Sequence, residues 1–151
     1  MAYYCGECIV WRGSSDENKY GERWCSFSRR YERSDQNTYG CKGFLYVGRA
    51  VLTKVCEILQ LDPTEWFAAF DTVKDTYLIS SRMDMLVSYC SIGPILAEKL
   101  QLDNEKTAVA TNLMKNFLLP AKNLSKNGYF LQAANTYRDM ISFLKAKYQV
   151  N

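Results

Sequence analysis

Hydrophobic residues recur with helical spacing from residue 44 almost to the end of the chain. The first apolar face lies within Phe44–Leu61, where such side chains return every three or four residues. A second helix begins after Asp62, a suitable cap, with Pro63 at its first position and Glu65 at its third. The side chains expected to face the core from this helix are Trp66, Phe67, Phe70, Val73, Tyr77 and Leu78.

Capping and breaking residues divide the remaining pattern. Ser81 is placed to cap a third helix, and Gly93-Pro94 is expected to break it and start another. Asp103 is expected to cap a longer helix that ends at Pro120, and Tyr129–Tyr148 forms the last helix. The predicted fold class is mainly α: a helical bundle of five or six helices over residues 44–151.

Residues 1–43 show no sustained helical period. Their short alternation of aromatic and polar residues predicts a small β lobe, with a loop over Gly13–Gly21 between two short strands. Few aliphatic side chains are present, so this lobe needs another source of folding free energy. Four aromatic residues of the lobe are expected to pack around the metal site described next: Trp11, Trp24, Phe27 and Tyr31.

The spacing of the cysteines in the same region indicates a metal site, and metal binding would supply this folding free energy. Four of the six cysteines in the chain, Cys5, Cys8, Cys25 and Cys41, lie within the first 41 residues. Thiolates are preferred ligands of Zn²⁺, and four of them form a closed, tetrahedral, structural site. The sequence therefore predicts one structural Zn²⁺ in a zinc-ribbon-like lobe, and metal binding would stabilise the fold of that lobe.

A thiol redox role is the main alternative for these cysteines, because the C-x-x-C spacing of Cys5 and Cys8 also suits thiol exchange. The loop that follows leaves no room for the long helix of a thioredoxin-like site. Cys56 lies on an apolar helical face and is expected to be a small buried residue. The sequence begins with no secretory signal pattern and holds no membrane-length apolar run, so a cytoplasmic protein is expected.

Composition narrows the chemistry further. The chain has no histidine and a formal charge of +3. The absence of histidine excludes Ser-His and Cys-His catalytic pairs and removes the commonest general base at neutral pH. A closed four-thiolate site does not activate water either. A non-catalytic protein is therefore expected.

Candidate binding residues lie in the N-terminal lobe. The basic run that contains Arg29, Arg30 and Arg33 could contact phosphates, although a solvated surface turn explains it as well. Tyr20 and Tyr39 lie where no apolar periodicity would bury them, and tyrosine is common at binding hot spots. A protein partner is preferred, nucleic acid is the alternative, and a homo-oligomer is compatible with the sequence.

One helix carries a pair of carboxylates. Asp71 and Asp75 are four residues apart with Lys74 between them. Paired carboxylates can share a metal or a proton. The simpler interpretation is a weak surface pair between Lys74 and Asp71, worth a few tenths of a kcal/mol.

Two segments of the chain resemble known groups of proteins. Residues 4–44 resemble four-cysteine modules at the N-termini of bacterial and phage proteins, whose cysteines are taken to bind zinc. Residues 41–100 resemble the cysteine-rich CFI-box family through Cys41-Lys42-Gly43-Phe44-Leu45-Tyr46, the helix Phe70–Leu78 and the segment Tyr89–Ala97. The resemblance implies a helical bundle attached to a cysteine site. A protein-interaction module, such as a phage-encoded regulator or inhibitor, is the function expected.

Overall fold

The computed structural model describes residues 15–25, 30–33 and 49–151. The chain divides into two units, Met1–Val47 and Gly48–Asn151. The first contains a small antiparallel sheet and the second contains five helices, so the mainly helical fold class is confirmed. The predicted boundary between residues 43 and 44 lies outside the described residues and stays a prediction.

The sheet of the first unit is a short hairpin. Strand β1 is Arg23–Cys25 and strand β2 is Arg30–Glu32. The strands pair antiparallel with Trp24 opposite Tyr31, and an isolated bridge joins Glu17 to Arg23. Each strand has only three residues. A two-stranded hairpin of this length has little stability of its own in water.

Helix α1 is Ala50–Leu59, and it ends where Gln60 adopts a left-handed conformation. Five of its ten residues are buried: Ala50, Val51, Leu52, Val55 and Cys56. This pattern confirms the predicted apolar face within the described part of Phe44–Leu61. The buried position predicted for Cys56 is confirmed as well.

Helix α2 covers residues 64–81 in three segments: Thr64–Val73, a π-helical turn over Lys74–Leu78, and Ile79–Ser81. The backbone N–H and the hydroxyl of Thr64 both donate to Asp62 Oδ1, at 3.0 and 2.7 Å. These bonds hold the pKa of the Asp62 carboxyl below its usual value. Asp62 therefore bonds to the first residue of the helix, but Pro63 takes the cap position, so the predicted start with Asp62 as the cap and Pro63 as the first helical residue is wrong by one residue. The helix ends at Ser81, because the next residue, Arg82, has a ψ of 53°, which is not helical.

Helix α3 is continuous over Met83–Leu102 with Pro94 inside it, so the predicted break at Gly93-Pro94 is wrong. Proline in a helix interior removes a hydrogen-bond donor and crowds the preceding turn. Burial on both sides of Pro94 compensates, since Ile92 and Leu96 are both in the core. A Cβ built on Gly93 would lie 3.4 Å from Ala50 Cβ, so the missing side chain lets α3 approach α1 closely.

Helix α4 covers residues 106–126 as Lys106–Leu113, a π-helical turn over Met114–Leu118, and Leu119–Lys126. The predicted end at Pro120 is therefore wrong. The N–H of Leu119 donates to the carbonyl of Met114, five residues back. The next residue, Pro120, has no N–H and stands in the first turn after the π-helical segment. The wider turn thus accommodates the proline without ending the helix.

Helix α5 is Phe130–Tyr148, close to the predicted limits. Its buried side chains pack against α3, α4 and the π-helical turn of α2. At the centre of this core the rings of Phe70 and Tyr137 meet edge to face at 5.1 Å. The Tyr148 hydroxyl donates to Asp103 Oδ2 at 2.8 Å, which fixes the last turn of α5 to the start of α4. Among the described residues, no helix is long and apolar enough to cross a membrane.

Candidate functional site

The predicted zinc ligands fall largely outside the described residues. Cys5, Cys8 and Cys41 lie there entirely. Cys25 is the last residue of β1 and pairs with Arg30 across the hairpin. Within residues 15–25, 30–33 and 49–151, no group of three or more Cys, Asp or Glu could hold a metal ion. The Zn²⁺ site therefore stays a prediction that depends on the four N-terminal cysteines together.

An aromatic pair forms across the hairpin. Trp24 and Tyr31 are register partners, with ring centroids 5.4 Å apart and planes at 73°. The Tyr31 hydroxyl donates to Asp16 Oδ1 at 2.8 Å, and this bond raises the pKa of Tyr31. Trp24 is 37% exposed and Tyr31 39% exposed. The sequence predicts that both rings pack around the thiolates, and this stays a prediction because most of the cysteines lie outside the described residues. In the structure they pack on each other and present a third or more of their surface to solvent.

Tyr20 projects from the tight turn before β1. The carboxamide oxygen of Asn18 accepts bonds from the N–H groups of Tyr20 and Glu22, both at 3.0 Å. Gly21 has a φ of 77°, a left-handed conformation that other residues rarely adopt. Tyr20 is 75% exposed as a result, with the Lys19 ammonium 5.0 Å from its ring centre. Its predicted exposure is confirmed, while Tyr39 lies outside the described residues.

The arginines of the hairpin have acidic neighbours. Arg30 is exposed on β2 and forms an ion pair with Glu32, which is buried. Arg33 is exposed directly after the strand, and Arg29 lies outside the described residues. Arg23 on β1 lies 3.8 Å from Glu17. The basic run is therefore interleaved with carboxylates in space as well as in sequence.

A cluster of charged side chains links α1 to α2. Asp71 Oδ2 accepts a bond from Arg49 at 3.1 Å, and its Oδ1 accepts one from Lys74 at 3.2 Å. The side chains of Lys74 and Arg49 are only 11% and 13% exposed. The predicted pair of Lys74 with Asp71 is confirmed, but its predicted place at the surface is wrong, because the lysine is buried and a second cation, Arg49, joins the carboxylate. Asp75 lies 4.0 Å from Lys74, which begins the π-helical turn.

Cations also cover two aromatic rings that were predicted to face the core. Arg49 Cζ lies 4.2 Å from the ring centre of Phe67, and Lys122 Nζ lies 4.4 Å from that of Trp66. Both rings are half-buried. Lys122 also donates to Glu65 at 2.7 Å, which holds the pKa of that carboxyl below its usual value. These contacts bind α2 to α1 on one side and to α4 on the other.

The thiol of Cys56 is poorly suited to redox chemistry. Burial, with smaller effects from Asp62 and Glu57, raises its pKa to about 11. A thiolate is the reactive form of cysteine, so this group stays protonated at neutral pH. Cys90 is also buried, on α3. The redox alternative, if correct, would depend on Cys5 and Cys8.

A small cavity lies in the helical core between α1, α2, α3 and α5. Its lining side chains are apolar, and only those of Tyr89 and Tyr137 carry a hydroxyl. The Tyr89 hydroxyl is fully buried, with no hydrogen-bond partner among the described residues. Burial raises the pKa of this phenol. The space suits about one water molecule and is too small for a substrate.

Comparison of the chain with models of protein families, with curated proteins and with solved structures found no match in any of the three.

Proposed function

We propose that this protein is a non-catalytic zinc-binding protein that binds a protein partner through the exposed aromatic residues of its N-terminal hairpin. These residues, called the hairpin aromatics below, are Tyr20, Trp24 and Tyr31. The observation that carries the proposal is their exposure on a short hairpin whose turn and strands are joined by hydrogen bonds. Tyrosine and tryptophan dominate binding hot spots, because each adds a large contact area at a small cost in side-chain entropy.

The charge of the hairpin favours a protein over a nucleic acid. Residues 15–25 and 30–33 contain four basic and four acidic side chains. A surface that binds nucleic acid carries a clear excess of Lys and Arg, since phosphate neutralisation supplies most of the affinity. Interfaces between proteins are instead enriched in Tyr, Trp and Arg without a large net charge. Arg30 and Arg33 would then form the polar rim of the contact.

Structural Zn²⁺ at Cys5, Cys8, Cys25 and Cys41 would stabilise this hairpin. Two strands of three residues contribute too few hydrogen bonds to fold alone. Zinc binding to four thiolates provides folding free energy in small lobes of this kind. The metal would have no catalytic part, because a closed tetrahedral site has no open position for substrate or water.

The test is capture of a partner from the native host by the zinc-loaded chain and by the Trp24→Ser/Tyr31→Ser variant. The matched control is Leu131→Ser, which removes an exposed apolar side chain from α5 in the other unit. We expect the hairpin variant to lose the partner while it keeps zinc, and the control to retain both. Equal capture by all three chains would contradict the proposal.

A second arm addresses nucleic acid. The zinc-loaded chain is titrated with a long duplex at several salt concentrations. Binding through phosphates would weaken steeply as salt rises. A tight complex with that steep dependence, lost in Arg30→Ser/Arg33→Ser, would favour the nucleic-acid alternative instead.

A further inference from the structure

Strand β1 of the hairpin has a chain segment along each of its two sides. The Trp24 N–H donates to the backbone carbonyl of Asp16 at 2.8 Å, and the Asn18 N–H donates to that of Glu22 at 2.9 Å. An isolated bridge lies between these two bonds. Residues 16–18 therefore run along the side of β1 that is turned away from β2. Strand β2 occupies the other side.

Strand β2 has an open side. In an antiparallel pair of strands, two residues opposite each other either exchange both backbone hydrogen bonds or both turn these groups away. Trp24 turns its N–H toward Asp16, so its register partner Tyr31 turns its N–H and C=O away from β1. Within residues 15–25, 30–33 and 49–151, no group bonds to this N–H or C=O. The side of β2 turned away from β1, called the outer edge below, thus presents a backbone donor and a backbone acceptor.

The Tyr31 side chain leaves the outer edge accessible. Its hydroxyl donates to Asp16 Oδ1 at 2.8 Å, so the ring reaches across β1 beside Trp24 and away from that edge. Successive side chains of a strand point to opposite faces, and Glu32 is buried whereas Tyr31 is 39% exposed. The exposed face of the hairpin therefore continues from Trp24 across Tyr31 to the outer edge.

We propose that the partner binds by strand addition, in which an extended segment of its chain pairs antiparallel with the outer edge of β2 at Tyr31. This inference rests on the proposed function, because the hairpin aromatics receive the same partner. An unpaired strand edge is a template for such a segment: main-chain bonds supply affinity, and alternate side chains supply specificity. The partner residue opposite Tyr31 would lie on the same face, so an apolar, β-branched or aromatic side chain is expected there. A second copy fits less well, because Glu32, the only carboxylate of β2, is buried and paired with Arg30 of its own strand.

Selection of linear peptides of about ten residues on the zinc-loaded full chain supplies the probe. We expect peptides with apolar residues at every second position, whose binding is lost on Trp24→Ser/Tyr31→Ser and kept on Leu131→Ser while all three chains retain zinc. N-methylation along a selected peptide should abolish binding at alternate positions only, because successive N–H groups of a strand point to opposite sides. Sensitivity at every third or fourth position would indicate a helix and overturn the proposal. So would a library without hairpin-dependent binders.

Amide hydrogen exchange of the full chain locates the contact. In the free chain, the Tyr31 amide should exchange faster than the Trp24 amide, which is bonded to Asp16. A saturating peptide should slow the Tyr31 amide at least about tenfold, and by a larger factor than Trp24. An unchanged Tyr31 amide in a hairpin-dependent complex overturns strand addition and leaves the proposed function intact, whereas partner capture that does not depend on the hairpin contradicts the proposed function itself. Slowing of Tyr31 with protein concentration alone would assign the outer edge to a second copy, and this result also overturns the proposal.

Discussion

Replacing Asp71 by asparagine should destabilise the helical unit through the buried lysine that it pairs with. Asp71→Asn keeps the shape of the side chain and removes its charge. The Lys74 ammonium, whose side chain is only 11% exposed, then loses the carboxylate at 3.2 Å. Breaking a fully buried ion pair costs about 3–5 kcal/mol, because one charge is left uncompensated.

Two features of the cluster reduce that cost. Asp71 is itself 35% exposed, and Asp75 remains 4.0 Å from the lysine. We therefore expect a loss of about 2 kcal/mol in the free energy of unfolding. For a protein of this size that corresponds to a fall of about 4–8 °C in Tm. Urea denaturation followed by far-UV circular dichroism measures it, since all five helices report in that signal.

The matched variant is Lys74→Met, which keeps the length of the buried side chain and removes its charge. Its cost should be below about 1 kcal/mol, because an apolar replacement of a buried charge requires no desolvation. In the Lys74→Met background, Asp71→Asn should lose at least half of its effect. Equal losses in both backgrounds would refute the reasoning, and so would an unchanged Tm for Asp71→Asn.

Four further predictions concern other parts of the chain. Cys25→Ser should release zinc, as measured by elemental analysis, and full retention would contradict the ligand set. Chelation should loosen the hairpin while most helical circular dichroism remains, because the helices bury their own apolar faces. Pro94→Ala should raise the free energy of unfolding by about 1 kcal/mol through a restored backbone donor; an unchanged or lower value in urea denaturation would contradict this. Since the folded-state pKa of Cys56 is raised to about 11 from 9.0, the contribution of this thiol to stability is present below pH 9 and lost towards pH 11. Comparison with Cys56→Ala over that range isolates it.

The helices that the sequence determined are those whose local and long-range preferences agree. Three features combine helical periodicity with suitable terminal residues: the apolar face of α1, the bonds of Asp62 to the first residue of α2, and the limits of α5. Burial of Cys56 followed from its place on an apolar face. Periodicity predicts these features because a helix must turn its apolar side toward the core, whatever that core contains.

Tertiary structure, and not the local sequence, determined that two helices continue through their prolines. A proline normally ends a helix, but Pro94 and Pro120 each lie within one. Apolar burial on both sides of Pro94 outweighs its local cost, and a π-helical turn accommodates Pro120. Neither compensation can be read from the neighbouring residues, because one depends on α1 and the other on hydrogen-bond register.

The same division holds for the candidate sites. Cysteine spacing and the lack of aliphatic residues predict a zinc-stabilised lobe, and Tyr20 is exposed as its surroundings indicated. The pairing of Trp24 with Tyr31 required the strand register, which the sequence did not specify. Arg49 reaches Asp71 across 22 residues, and it helps make the Lys74 pair a partly buried cluster. The sequence determines which side chains are available for ion pairs and contacts. The packing of distant helices determines which of these interactions are removed from water, and those interactions are the stronger ones.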